Sequence, residues 1–389
     1  MILPGLWAEE ARSLQNELAG LRRGFHRHPE LGNREYETAA AVEAVLRSCG
    51  IETFRPLETA VVGTLRGALP GPTVALRADL DALPVTEATG CEFASENEGV
   101  MHACGHDVHM TAALGAAMLL ARHREELPGT VKFFFQPDEE GRGGAQRMID
   151  AGCLAGVSAV YGAHVSPDLP LGTVGFKYGR FYAASAMYHI VVKGKGSHAA
   201  EPEKGCDALA AAAEIACRLR RLNDPDPVNR LVVTTGSLHA GTASNIVADR
   251  AELKGIIRTL GPELRAATCE RLKAIAAETA AEFGTAAEPE IIMSYSGVTN
   301  TDPETALAER AARALLGEEH VTVLQKPTMT TEDMGCFIAA ASGSFYHIGA
   351  GCELPLHNPG FLPDERILST AAAVHAAILY EYLNTFSER

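Results

Sequence analysis

The chain has 389 residues, 47% of them hydrophobic, and a formal net charge of −15. That length and apolar content specify one large or two medium globular domains, and an acidic balance without any Lys/Arg run argues against nucleic acid or an anionic membrane as partner. No apolar run approaches about 18 residues, so no transmembrane helix is expected; the opening MILPGLWAEEARSLQNEL also lacks the basic and apolar regions of a signal peptide. The nine cysteines are an odd, scattered set without the spacing of a disulfide framework or zinc ribbon, which fits a reducing cytoplasm.

In chain order, an amphipathic helix is expected over 7–24, ended by the FHRHPELG loop, and a second over Glu35–Cys49, stopped by Gly50. Strands follow at Ala60–Leu65 and Thr73–Arg77. The second runs into ADLDALP, where the two-residue spacing of Asp79 and Asp81 puts both on one side of an extended segment. MHACGHDVHM (101–110) then brings Cys104 and His106 together ahead of an apolar helix over Thr111–Ala121. Gly105 lets both side chains turn to one point, and the positive helix end is expected to favour an ionised thiol.

Thr130–Gln136 is a buried strand ending in PDEEGRGG, which carries Glu139 and Glu140, and Arg147–Asp150 begins a helical piece. Val157–Tyr161 is a strand ending in GAHVSP with His164. Ser344–Ile348 is another, followed by LHNP with His357, and a final helix covers Arg366–Leu383. Strands alternating with helices specify a mainly parallel α/β sheet covered on both faces. All the metal-competent residues are expected just past strand C-termini, where such sheets build their sites. Residues 183–294 differ, reading strand, helix, strand, strand, helix, strand: a βαββαβ ferredoxin-like domain inserted into the larger one. The expected division is therefore 1–182 and 295–389 for the catalytic domain and 183–294 for the insert.

Cys104, His106, Glu139, Glu140, His164 and His357 exceed the roughly three protein ligands of a single catalytic ion, with Asp79 and Asp81 nearby. Two ions sharing a site would acidify a water and polarise a carbonyl, and Glu139-Glu140 offers one ligand and one general base. Taken singly, each candidate has a plainer reading: a buried thiol, an acidic loop, structural histidines. Their joint placement outweighs it. Asp81 suits a supporting role behind a ligand. His26 and His28 read as structural loop residues, and His109 as a helix residue beside the site without a ligand role. In the inserted domain, GKGSHAAEP holds His198 on a loop tip, with Asn245 and Arg258 completing a polar set there. Arg258 could grip a carboxylate through a bidentate pair; the plainer readings are a solvated loop and a surface salt bridge.

FHRHPELG, LRADLDALPV, MHACGHDVHM, FQPDEEGRGGAQRMIDAG, GAHVSP, GKGSHAAEP, SNIVADRAELKGIIRTL, TTEDMGCF and LHNPGF span nearly the whole chain. In these motifs it resembles the di-metal aminoacylase and carboxypeptidase superfamily, and within it the branch of hippurate hydrolases, N-acetyl-diaminopimelate deacetylases and auxin-conjugate amidohydrolases. The resemblance implies Cys104, His106, Glu140, His164 and His357 as metal ligands, Glu139 as general base and Asp81 as the supporting Asp. Asp79 stands where many members carry a ligating His, so its contact with metal stays open. His198 is similar to a lid histidine that reaches the neighbouring subunit's site, and Asn245 and Arg258 to substrate-holding lid residues. The insert would then be lid and dimerisation surface. The expected protein is a cytoplasmic homodimeric amidohydrolase of N-acyl amino acids using two divalent ions, Mn or Zn with Co or Ni as further fits. The alternatives are a dipeptidase or carboxypeptidase on the same site, and a non-catalytic metal-binding protein.

Overall fold

A computed structural model describes residues 4–387. Met1–Leu3 and Glu388–Arg389, which end the two expected catalytic segments, lie outside it. The elements run α1 (Pro4–Ser13), α2 (Gln15–Arg27), α3 (Tyr36–Ser48), β1 (Glu52–Phe54), β2 (Val61–Arg66), β3 (Leu69–Asp79), α4 (His106–Arg122), β4 (Pro128–Gln136), α5 (Ala145–Asp150), β5 (Ala159–Ser166), β6 (Val174–Phe176) and β7 (Gly179–Tyr182). They continue with β8 (Ala184–Lys193), α6 (Ala208–Arg220), β9 (Leu231–Ala240), β10 (Arg250–Thr259), α7 (Pro262–Glu282), β11 (Ala286–Met293) and β12 (Val298–Asn300). The chain closes with α8 (Asp302–Leu316), β13 (Val321–Val323), α9 (Met334–Ala341), β14 (Gly343–Gly349) and α10 (Ile367–Phe386). The single helix expected over 7–24 is two helices with Leu14 between them. No helix of the described residues is long and apolar enough to cross a membrane.

Two compact units emerge. The first holds the chain up to Gly179, Thr299–Gln325 and everything from Asp333; the second holds Arg180–Val298 and Lys326–Glu332. The sequence reading breaks the chain after 182 and 294 and does not anticipate the strap at 326–332.

The first unit is built on an eight-stranded mixed sheet in the order β1-β2-β4-β3-β5-β14-β6-β13. Its centre, β4-β3-β5-β14, is parallel throughout, and the antiparallel pairs are β1-β2, β2-β4 and β14-β6. The sequence KFFFQ shows why β4 is central. Phe133 and Phe135 enter the main core, where the residues of α4 and α10 also pack, while Phe134 points to the other face and meets Phe337 of α9, ring centroids 5.5 Å apart. A strand covered on both faces needs apolar residues at every position. Small residues let α4 approach α10: a Cβ on Gly115 would stand 2.7 Å from the Ala372 methyl. The second unit has a four-stranded antiparallel sheet, order β11-β8-β10-β9, with α6 and α7 supplying Ile215, Leu219, Leu272 and Ile275 to its own core. Asp207 caps α6, its Oδ1 accepting from the backbone N–H of Leu209 and Ala210. This is the split-βαβ order.

A buried ionic knot ties α2 to the start of α4. Arg22 donates from Nε to Asp107 Oδ2 at 2.7 Å, and His26 donates from Nδ1 to the same oxygen at 2.8 Å and from Nε2 to Glu87 Oε1 at 3.1 Å. His26 is thus a buried residue of α2 and not the loop histidine expected from FHRHPELG; His28 sits at the helix end on the surface. Burial opposes charge on His26, but the carboxylates of Asp107 and Glu87 outweigh it and raise its pKa from 6.5 to about 9. The folded value lies above the unfolded one, so this contribution is fully present below pH 6.5 and is lost as pH rises through about 9. Denaturant unfolding should therefore show stability declining between pH 6.5 and 9, with His26→Gln flattening that decline. An unchanged slope in the variant would remove His26 as its source.

Candidate metal centre

Five segments of the first unit converge above the sheet. Asp79 ends β3, and Asp81 follows it. Cys104 precedes Gly105, which caps α4 in the left-handed region at φ 85°, so that His106 is the first helical residue. Glu139 and Glu140 lie in the turn between β4 and α5, next to Asp138, itself at φ 59°. His164 sits within β5, two residues before its end, and His357 lies eight residues past β14 at φ 65°. The expectation that all these residues follow strand ends is corrected. His164 is in the strand, and Cys104 and His106 lie at the far end of a long segment after β3. Left-handed backbone at a non-glycine residue costs energy and is retained where the side chain must point one way. His357 and Asp138 are two of four such residues among those described.

The donor atoms meet closely. Cys104 Sγ is 3.4 Å from His164 Nε2 and 3.3 Å from His357 Nε2, and His357 Nε2 is 3.1 Å from Glu140 Oε1. His106 Nε2 is 3.8 Å from Asp79 Oδ2 and 4.0 Å from Glu140 Oε1. His106, Glu139 and Glu140 offer ligand atoms all within 4.8 Å of one another, as do Cys104, His106 and His164. Glu139 is 6% exposed, whereas the His357 side chain is 51% exposed and forms the open rim.

Neighbouring groups fix which nitrogen each imidazole presents. His106 donates from Nδ1 to the Asp81 carbonyl at 2.8 Å, leaving Nε2 aimed inward with no hydrogen-bond partner among the described residues. His164 donates from Nδ1 to the Val165 carbonyl at 2.7 Å, leaving Nε2 toward Cys104. Such outer hydrogen bonds are how proteins orient metal-binding imidazoles. His109 is different. Its Nε2 accepts from the Val165 N–H at 2.9 Å and its Nδ1 donates to Asp79 Oδ1 at 2.7 Å, so both nitrogens are committed. Asp79 is held on its other oxygen by Arg77 Nη1 at 2.7 Å. Asp81 Oδ2 accepts from the Glu140 N–H at 2.9 Å, which ties the Asp79–Asp81 segment to the glutamate turn.

The electrostatics call for a cation. Burial works against charge on His106, yet Asp79, Asp81 and Glu140 raise its pKa to about 10. Burial, then the Glu140 and Glu139 carboxylates, push the Cys104 thiol well above its usual range. Burial first, and then the acidic surroundings, thus oppose the thiolate expected from the helix N-terminus, and a positive ion among these groups is what would release the proton. The thiol, imidazole and carboxylate donors, with His106 Nε2 orphaned and turned inward, fit divalent metal ions.

In the second unit, His198 bridges to Ile246, and Asn245 accepts from the Ala199 N–H at 3.0 Å, so these two share one exposed loop region. Arg258 is elsewhere. It is the ninth residue of β10, about 27 Å along the strand from the Asn245 end, half-buried, with Nη1 donating to the Met329 carbonyl at 2.9 Å. The single polar set expected on one loop tip is corrected, because β10 carries Arg258 to the other end of its sheet. Sequence reasoning missed Arg77, a charged residue inside an otherwise apolar strand two positions before Asp79. That anomaly is itself the signal, since a guanidinium buried there must be paired.

A buried set of thiol, imidazole and carboxylate donors beside a mixed α/β sheet defines a metal-dependent hydrolase. Residues 75–381 match the peptidase family M20/M25/M40. An N-acetylcysteine deacetylase of Bacillus subtilis is 38% identical over 378 residues, covering 96% of this chain and 99% of that one. Thermostable carboxypeptidase 1 of Saccharolobus solfataricus is 35% identical over 386 residues, covering 96% and 98%. The crystal structure of the Bacillus subtilis YXEP protein, described as a dinuclear metal-binding peptidase of the M20 family, superposes with a TM-score of 0.87 at 36% identity, covering 96% of this chain and all of that one. The chain belongs to the M20/M25/M40 family and is an amide-hydrolysing enzyme.

Gly105 is the backbone hinge of the site, and a Cβ there would stand 2.5 Å from Val165 Cγ2 at a left-handed φ. Gly105→Ala should cost about 2 kcal/mol of stability and lower metal content, read by denaturation and elemental analysis. A variant with full stability and full metal content would show that the hinge is dispensable.

Proposed function

We propose that the enzyme hydrolyses the amide of N-acyl amino acids, with Cys104, His106, Glu140, His164 and His357 holding two divalent metal ions and Glu139 as general base. The observation that carries this reading is the position of Glu139: buried, in the same turn as Glu140, with a carboxylate oxygen within 4.8 Å of His106 and Glu140 donor atoms. The deacetylase among the relatives supports the acyl class. The mixed donor set suits Zn or Mn, with Co and Ni as further fits. Bound there, the ions supply Lewis-acid polarisation of the scissile carbonyl and acidify a water.

Glu139 takes the proton from the attacking water and delivers it to the leaving amine nitrogen. Asp81 keeps His106 in its tautomer and the glutamate turn in register. His198 donates to the oxyanion in the neighbouring subunit's site, and Arg258 or Asn245 grips the substrate carboxylate. The 183–294 domain acts as lid and dimer surface, and the open edges β9 and β11 of its sheet support that pairing. The nine scattered cysteines, all free, suit a reducing cytoplasm as the location. A second reading, a carboxypeptidase or dipeptidase on the same site, is favoured by the archaeal carboxypeptidase relative.

Amine release from N-acetyl, benzoyl and succinyl amino acids and from dipeptides, with Zn or Mn restored to stripped protein, tests this. Metal-dependent turnover of acyl amino acids is expected. Turnover of dipeptides alone moves the enzyme to the second reading, and silence without bound metal overturns both. Glu139→Gln should lower kcat about 10²–10⁴-fold while both metals stay bound; an active variant would end the assigned role.

A further inference from the structure

The TTEDMGCF motif carries a carboxylate that the chemistry above does not use. Asp333 is 1% exposed in the interior of the first unit. Its Oδ2 accepts from Gln136 Nε2 at 2.8 Å and from the Ala145 N–H at 3.0 Å. Its Oδ1 accepts from Gln136 Nε2 at 2.9 Å and from Arg77 Nη2 at 2.9 Å. Gln136 is the last residue of β4 and Ala145 the first of α5. Between them lies the turn that carries Glu139 and Glu140, so one carboxylate pins both ends of that turn.

The same carboxylate reaches the other side of the cage. Arg77 holds Asp333 with Nη2 and Asp79 with Nη1, and Asp79 in turn holds His109 and faces His106. Arg77 Nε also donates to Gln136 Oε1 at 2.8 Å. The turn is also held by Glu35 Oε1 on the Asp138 N–H and by Asp81 Oδ2 on the Glu140 N–H, each at 2.9 Å, and Arg147 Nη1 stands 3.8 Å from Asp138 Oδ2. Each of those grips one point. Asp333 grips both ends and joins them to the opposite wall.

We propose that Asp333 is a positioning residue that sets the Glu139–Glu140 turn against the Asp79–His106 wall. Apolar residues would fill the same space without the desolvation cost of a buried carboxylate and guanidinium, whereas a general base displaced by about 1 Å can lose about 10²-fold in rate. The proposal rests on the reading that Glu139 and Glu140 act in this cage. Asn at position 333 has the same shape but cannot replace the carboxylate, because its amide NH2 must face either the Ala145 and Gln136 donors or the Arg77 and Gln136 donors.

The test compares wild type, Asp333→Asn and Gln136→Met, the last removing the donor at one end of the turn. Two readouts are taken: steady-state kinetics on the best substrate of the panel, and hydrogen exchange of the peptide covering 137–147. In Asp333→Asn, kcat should fall about 10- to 100-fold with KM within about threefold and both metals retained. Exchange in that peptide should quicken at least about tenfold while α4 and β3 keep their protection. Gln136→Met should move both readouts the same way, and carries the test if Asp333→Asn fails to fold. Wild-type kcat in a folded variant, or a raised KM with unchanged kcat, overturns the proposal. So does exchange that quickens across the whole unit. An inactive wild type would count against the amidohydrolase reading, and the exchange data would still decide whether Asp333 holds the turn.

Discussion

Four carboxylates and a thiol crowd one buried space, and the structure is arranged around keeping that charge in place. Asp79, Asp81, Glu139 and Cys104 are buried and Glu140 nearly so. Like charges at these separations repel strongly once water is excluded. The protein answers with fixed donors behind the cage: Arg77 and His109 on Asp79 and the Glu140 N–H on Asp81, with Arg77 itself held from its far side by the accepting Asp333 carboxylate. What remains is a demand for positive charge at the inward face. A proton on His106 meets it poorly and divalent ions meet it well, which links metal affinity to folding.

Two adjacent residues show how the fold carries that load. His106 turns into the cage, and Asp107 turns away from it to accept from Arg22 and His26. The first turn of α4 is therefore anchored on one side to the metal donors and on the other to α2. Gly105, in the left-handed region, sets the direction from which the chain enters. This explains why MHACGHD is dense in polar residues although it opens a helix that is buried from His106 through Leu120.

Much of this was legible from the residues. KFFFQ, TVALR and SFYHI read as strands because runs of branched and aromatic residues bounded by Gly, Pro or acidic turns have few other solutions. The family motifs brought Cys104, His106, Glu139, Glu140, His164 and His357 into one group, and the fold places their donor atoms side by side. The register of the individual residues was less legible. His164 lies inside β5 because GAH continues the parallel ladder with β14, where His164 pairs with His347, and nothing local marks where such a ladder stops. Arg258 and Asn245 are close in sequence, but Asn245 lies in the loop before β10 and Arg258 near the far end of that strand. The supporting partners were least visible: Arg77, Gln136 and Asp333 meet across 256 positions of sequence, and no short-range pattern records such a contact.

That wide spacing has a consequence for how the protein is made. The last donor, His357, is 193 residues downstream of His164, and the whole second unit is synthesised between them. At about 5–20 residues per second, the ribosome leaves the earlier donors without their final partner for about 10–40 s. During that interval the Cys104 thiol, the carboxylates and His106 and His164 are on the nascent chain without His357. The full set of candidate donors is thus complete only late in synthesis.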